Sequence, residues 1–163
     1  SPGPVFFFQT RTGLGGKRFK MYKMRTMVRN AEELKAKYQH LNTQSYPDFK
    51  IADDPRITRV GRFLRKTSLD ELPQIFNVLK GDMSLVGPRP TSFHPSTYSL
   101  WQTERLEAKP GVTGLWQVLG RDEIDFDDRV RLDILYSRNQ SLKMDIEILL
   151  KTFGAVIGGR GAH

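Results

Sequence analysis

The sequence predicts an α+β fold, predominantly helical, with a short N-terminal β-hairpin and amphipathic interface helices around a compact core. Three observations predict it: two strand-like runs flanking a glycine turn between Val5 and Met24, helical spacing of apolar residues from Arg56 onward, and an apolar stripe from Leu142 to Ile157. At 163 residues the chain has the length of one domain, and residues 1–163 read as a single unit.

Val5-Phe6-Phe7-Phe8-Gln9 and Arg18 to Met24, joined across Gly13-Leu14-Gly15-Gly16, read as the hairpin. In its second strand Phe19 and Met21 alternate with Arg18, Lys20 and Lys23, which predicts one basic face. Asn30 is a candidate N-cap for a polar, solvated helix from Ala31 to Tyr38, with Glu33 and Lys37 paired at i,i+4. Asn42 to Pro55 reads as a mobile loop. Arg56, Arg59, Arg62 and Arg65 then recur every third residue between Ile57, Val60, Phe63 and Leu64. On a helix this sets a basic stripe beside an apolar one, as for an element lying on an anionic interface or facing phosphates; a solvated helix with snorkelling arginines fits equally well.

Leu72, Ile75, Phe76 and Leu79 fall at i, i+3, i+4, i+7 and Gly81 follows, which predicts a short amphipathic helix. With either Asp70 or Ser68 as its cap, Asp70 and Glu71 sit in the first turn. Met83 to Pro90 reads as a rigid loop fixing Arg89 between two prolines, and Lys109 to Val118 as a turn and strand closing at Gly120-Arg121. Two helices follow, from Asp125 to Arg138 and from Ser141 with Leu142, Ile146, Leu149, Leu150, Phe153, Val156 and Ile157 on one face, before a flexible glycine tail.

Lysine and arginine number 26 against 18 acids, a net charge of +8, so phosphates, anionic membranes and nucleic acids are the natural partners. The absence of cysteine excludes disulfides, Cys-ligated zinc, iron–sulfur clusters and a thiol nucleophile. His40, His94 and His163 match no metal-ligand spacing, and the glycines from Gly13 to Gly16 match no nucleotide-binding loop. No apolar run approaches the roughly 20 residues needed to span a bilayer. The chain opens on Ser1-Pro2-Gly3-Pro4 with no Met, as expected of a fragment. Adjacent carboxylates such as Asp70 and Glu71 can coordinate Mg²⁺, and one of them can attack phosphorus; Ser68-x-x-Glu71 also matches a capping box, which leaves a purely structural role open. Arg65 and Arg89 flank the acids and suit phosphate oxygens.

The ordered series Pro4 to Gln9, Phe19 to Met27, Arg65 to Gln74, Asn77 to Pro90 and Lys109 to Gly114 resembles the bacterial sugar transferases, the monotopic polyprenyl-phosphate phosphoglycosyl transferases. The resemblance runs nearly the whole chain, without the hydrophobic re-entrant helix that precedes the Pro-Gly-Pro segment in that family. It implies a catalytic core that moves a sugar-1-phosphate from a UDP-sugar to a polyprenyl phosphate at the cytoplasmic face of the bacterial inner membrane, releasing UMP. Asp70 would be the nucleophile, Glu71 a partner in binding Mg²⁺, and Arg65, Arg89 and Arg121 phosphate ligands, while Arg56, Arg59, Arg62 and the hairpin cations would face anionic headgroups. The competing class, a basic nucleic-acid-binding module, rests on the net charge and the arginine stripe.

Overall fold

The computed structural model describes residues 2–43, 49–119 and 124–158. Alternation in the first 24 residues yields the hairpin: β1 (Phe6–Thr12) pairs antiparallel with β2 (Arg18–Met24), Phe6 opposite Met24 and Thr12 opposite Arg18. The single basic face does not form. Phe19 and Met21 turn inward onto Met83, and Lys23, at the same parity, follows them to meet Glu71. Arg18 bonds Thr12 Oγ1 and the carbonyls of Ser92 and Phe93, so of these three cations Lys20 alone is exposed.

Helix α1 spans Glu33–Lys37 and starts later than predicted, with Glu32 rather than Asn30 in the capping position. It buries no residue, so little tertiary packing supports a longer helix. Arg56 also departs from expectation. It is buried ahead of the next helix, in an ion pair with Asp54 at 2.6 Å and a bond to the Ala31 carbonyl, and is not available to headgroups. Part of the predicted loop is therefore anchored, with Ile51 and Asp54 buried; residues 44–48 lie outside the described residues.

Helix α2 (Arg59–Lys66) is capped by Thr58 Oγ1, which accepts from the Gly61 amide at 2.9 Å. Gly61 permits its closest approach: a Cβ there would lie 1.9 Å from the Thr26 carbonyl oxygen. Val60 and Phe63 point outward. The chain then reverses at Ser68, whose φ of 56° lies in the left-handed region, and forms a 3₁₀ turn over Leu69–Glu71. This overturns the capping-box reading, because an N-cap needs extended backbone and the Ser68 side chain caps nothing. Helix α3 begins only at Gln74 and runs to Leu79, with Pro73 ahead of it. The two acids thus precede the helix rather than open it.

Helix α3 is inverted relative to an ordinary surface helix. Its polar residues Gln74 and Asn77 are 3% and 0% exposed, whereas Phe76 and Leu79 are 60% and 78% exposed. Asn77 explains the phase, since its amide donates to the Lys20 carbonyl at 2.7 Å and accepts from the Tyr22 amide at 3.0 Å, tying α3 to β2.

Within the predicted rigid loop, β3 (Ser84–Val86) pairs in parallel with β4 (Gly111–Thr113). The predicted strand stops there, and α4 (Leu115–Leu119) is helical; the expected closure at Gly120-Arg121 lies outside the described residues. Helix α5 (Phe126–Asn139) and α6 (Leu142–Ile157) match their predicted spans within a residue or so, and Ser141 caps α6 through the Met144 amide. Val86, Ala108, Tyr136 and Ile148 form the main core, and the Tyr136 hydroxyl contacts the Val86 carbonyl and Asp145. Along α6, Leu142, Ile146, Leu150, Phe153 and Ile157 remain exposed; the glycine tail from residue 159 lies outside the described residues. The fold is mixed α+β, and among the described residues no helix is long and apolar enough to cross a membrane.

Candidate active site

The turn that carries Asp70 and Glu71 closes against β2, and together with α2 and the Pro88-Arg89-Pro90 loop it borders a cavity of about 650 Å³. Asp70, Glu71, Arg65 and Arg89 all line it. Arg121 lies outside the described residues, so its place in the site is not assigned.

Each side chain is held by its own element. Ser68's left-handed backbone turns the chain so that Asp70 is buried rather than presented at a helix tip. Arg65 sits one turn beyond Gly61 on α2, and its Nε donates to Thr26 Oγ1 at 3.0 Å, so the same residue contacts both the helix backbone and its arginine. Arg89 is flanked by two buried prolines. Its carbonyl accepts from Arg105 at 2.8 Å, and Arg105 in turn forms a buried ion pair with Asp133 of α5. Burial pushes the Asp133 carboxyl up to about 6 despite that pairing.

The two acids have unlike surroundings. Glu71 Oε1 accepts from Lys23 at 2.8 Å and from Arg89 at 3.3 Å. Burial alone would raise its pKa, but these charges and hydrogen bonds outweigh it and hold Glu71 at about 2. Asp70 is shifted the other way: burial raises its pKa, and Glu71 adds to that, against the opposing pull of Lys23 and Arg65. One carboxylate is held ionised by two cations while its neighbour is desolvated and hydrogen-bonded to neither lysine nor arginine among the described residues.

A divalent cation suits this donor set. Both cationic side chains bond the same Glu71 oxygen, which leaves Oε2 and the Asp70 carboxylate as oxygen donors. No group of three acidic or histidine ligands exists among the described residues. The two carboxylates present are a donor set of the kind that holds Mg²⁺, which completes its shell with water and phosphate oxygens. Arg65, Arg89 and Arg11 also line the cavity, and a guanidinium is the side-chain group whose fork suits phosphate oxygens.

Lys23 and Arg11 went unrecognised in the sequence. The available signal was strand parity: Lys23 follows Phe19 and Met21 at intervals of two, and Arg11 stands opposite Phe19 in the hairpin register, so both belong to the inward face. Arg105 and Asp133 carried no such signal, because their pairing joins segments 28 residues apart.

A family profile described as bacterial sugar transferase matches residues 1–159. Among curated proteins, the chain is 51% identical over 166 residues to an undecaprenyl-phosphate galactose phosphotransferase of Salmonella typhimurium, covering 99% of this chain and 35% of the relative. It is 49% identical over 162 residues to a galactosyl transferase of Streptococcus agalactiae, covering 98% of this chain and 36% of the relative. An exopolysaccharide production protein of Rhizobium meliloti is 40% identical over 166 residues, covering 99% of this chain and 74% of the relative. The chain therefore spans about a third of the length of the first two.

Proposed function

The chain belongs to the bacterial sugar transferase family, and from that premise we propose that it transfers a sugar-1-phosphate from a UDP-sugar to a polyprenyl phosphate, with Asp70 as the nucleophile. The observation that carries this reading is the asymmetry of the acid pair within a cation-lined cavity: Glu71 is committed to Lys23 and Arg89, and Asp70 is left for chemistry. The Salmonella relative, an undecaprenyl-phosphate galactose phosphotransferase, supports a polyprenyl phosphate acceptor and a transferred sugar phosphate.

In this mechanism an Asp70 oxygen attacks the sugar-bearing phosphorus. The bond from that phosphorus to the bridging oxygen breaks, and its electron pair leaves with UMP. A polyprenyl phosphate oxygen then attacks the same phosphorus, breaks the aspartyl bond and restores the Asp70 carboxylate. Mg²⁺, held by Asp70 and Glu71, would supply charge neutralisation for the phosphates. Glu71 keeps Lys23 and Arg89 oriented, Arg65, which lines the cavity with Asp70, would approach the phosphate that Asp70 attacks, and Arg121 is proposed as a further phosphate ligand.

The membrane is the proposed source of the lipid substrate, on its cytoplasmic face. Support comes from apolar side chains turned outward around the site: Phe6, Phe7 and Phe8 on the hairpin, Val60 and Phe63 on α2, and Ile75 and Phe76 on α3. These amphipathic interface helices would border the catalytic core of the single domain 1–163, with exposed Arg59 and Arg62 near anionic headgroups. Nucleic acid has no part in this reading, since the cations of the cavity share their lining with the acids Asp70 and Glu71.

Incubating the protein with a panel of UDP-sugars and a polyprenyl phosphate tests the proposal through UMP release. Release from at least one sugar nucleotide, its loss with EDTA, and a drop of about 10³-fold or more in Asp70→Asn are expected. Full activity of Asp70→Asn would contradict the assignment.

A further inference from the structure

We propose that Arg11 is a further substrate-binding residue, gripping the nucleotide-side phosphate of the UDP-sugar; this rests on the transferase reading above. Arg11 lies on β1 and lines the cavity beside Arg89 and Glu71. Its hydrogen bond goes to the neutral Gln9 Oε1, and its Nε is buried with no partner among the described residues. Two arginines more buried than Arg11 are satisfied by acids, Arg56 by Asp54 and Arg105 by Asp133. Arg11 has no such acid, because Glu71 is already bonded to Lys23 and Arg89. Its surroundings make this worse: burial, then the like charges of Arg89 and Arg18, push its pKa down to about 10. A guanidinium withdrawn from water beside a second guanidinium is costly unless an anion joins them.

The surroundings of the arginines also indicate which anion. Arg65 and Asp70 line the cavity from α2 and the turn that follows it, whereas Arg11 and Arg89 line it from β1 and the Pro88-Arg89-Pro90 loop. A diphosphate presents two anionic groups in series. With the attacked phosphorus between Asp70 and Arg65, the departing phosphate falls to Arg11 and Arg89. When the bridging bond breaks, the electron pair passes to the UMP phosphate oxygen, and the fork of Arg11 meets that added charge.

Calorimetric titration of UDP, and separately of a short-chain polyprenyl phosphate in detergent, into wild type, Arg11→Gln and Arg11→Lys tests the assignment. UDP should bind about 10- to 100-fold more weakly to Arg11→Gln and less weakly to Arg11→Lys, while the lipid phosphate changes less than about twofold. UDP affinity unchanged in both variants, a loss confined to the lipid phosphate, or no UDP binding by wild type overturns the proposal. Should Arg11→Gln fail to fold, the Arg11 Nε–H resonance of wild type decides: movement on adding UDP supports the contact, and a stationary signal overturns it. Wild type that binds UDP through Arg11 yet releases no UMP from any UDP-sugar would keep Arg11 as a nucleotide-phosphate ligand and sink the transferase reading instead.

Discussion

Glu71 shows how one residue sets the chemistry of its neighbour. Its carboxylate neutralises Lys23, whose own pKa burial lowers, and steadies Arg89 beside the cavity. With a folded pKa of about 2 against 4.5 for the free side chain, Glu71 binds fewer protons when folded than when unfolded between those values. Its contribution is therefore present above pH 4.5 and disappears as pH falls through about 2. The size is on the order of 3 kcal/mol, or a Tm shift on the order of 10 °C for a chain of this length. Glu71→Gln should melt lower than wild type by that amount at pH 7, and the gap should close toward pH 2; thermal melts across this range check it, and a constant gap would contradict the ion-pair account. At this scale the sequence displayed Asp70, Glu71, Arg65 and Arg89 through their motif. Strand parity puts Lys23 and Arg11 on the inward face but does not say what they meet there, so their place beside Glu71 and in the cavity needed the fold.

At the scale of elements, α2 couples packing to the site. Gly61 and Arg65 lie one turn apart, and both meet Thr26. Gly61→Ala would drive a Cβ to 1.9 Å from a backbone oxygen, so α2 must shift and carry the Arg65 guanidinium off Thr26 Oγ1. A destabilisation of at least about 1–3 kcal/mol and reduced UMP release are expected. Gly154→Ala on α6, where an added Cβ meets nothing within 4 Å, should instead be neutral or stabilising by up to about 1 kcal/mol. Denaturant melts of both variants provide the comparison. Elements with a strong local signature were legible: the hairpin from its alternation, α5 from its length, and α6 from Ser141. Helix α4 was not, because Leu115-Trp116-Gln117-Val118 suits a strand locally and only packing of Leu115 and Val118 on the core decides. The phase of α3 was equally hidden: spacing reveals an apolar stripe, but the bonds of Asn77 to β2 determine that the stripe faces outward.

The molecule carries two unusual surfaces, a cation-lined cavity and outward apolar faces on β1, α2 and α3. On the proposed reading they act together, one holding phosphates and the other holding the protein against the lipid that supplies the acceptor. The net charge of +8 is accordingly divided. Arg56 and Arg105 are paired with buried acids, Lys23 and Arg89 share Glu71 at the cavity, and exposed residues such as Lys20 and Arg59 remain for a membrane. Binding to vesicles containing anionic lipid should thus weaken several-fold when Phe63 and Phe76 are both replaced by Ser, with the fold intact, and should weaken less when salt is raised. Co-sedimentation measures both, and an unaffected double variant would remove the apolar faces from the account.

The central claim, that Asp70 carries the phosphosugar between two substrates, meets its most direct test in mass-spectrometric mapping of protein quenched during turnover with an accepted UDP-sugar and no lipid acceptor. The account predicts a hexose-phosphate mass increment confined to the peptide containing Asp70, absent from Asp70→Asn and discharged by polyprenyl phosphate. An adduct on any other residue, or UMP release with no adduct at all, would contradict it.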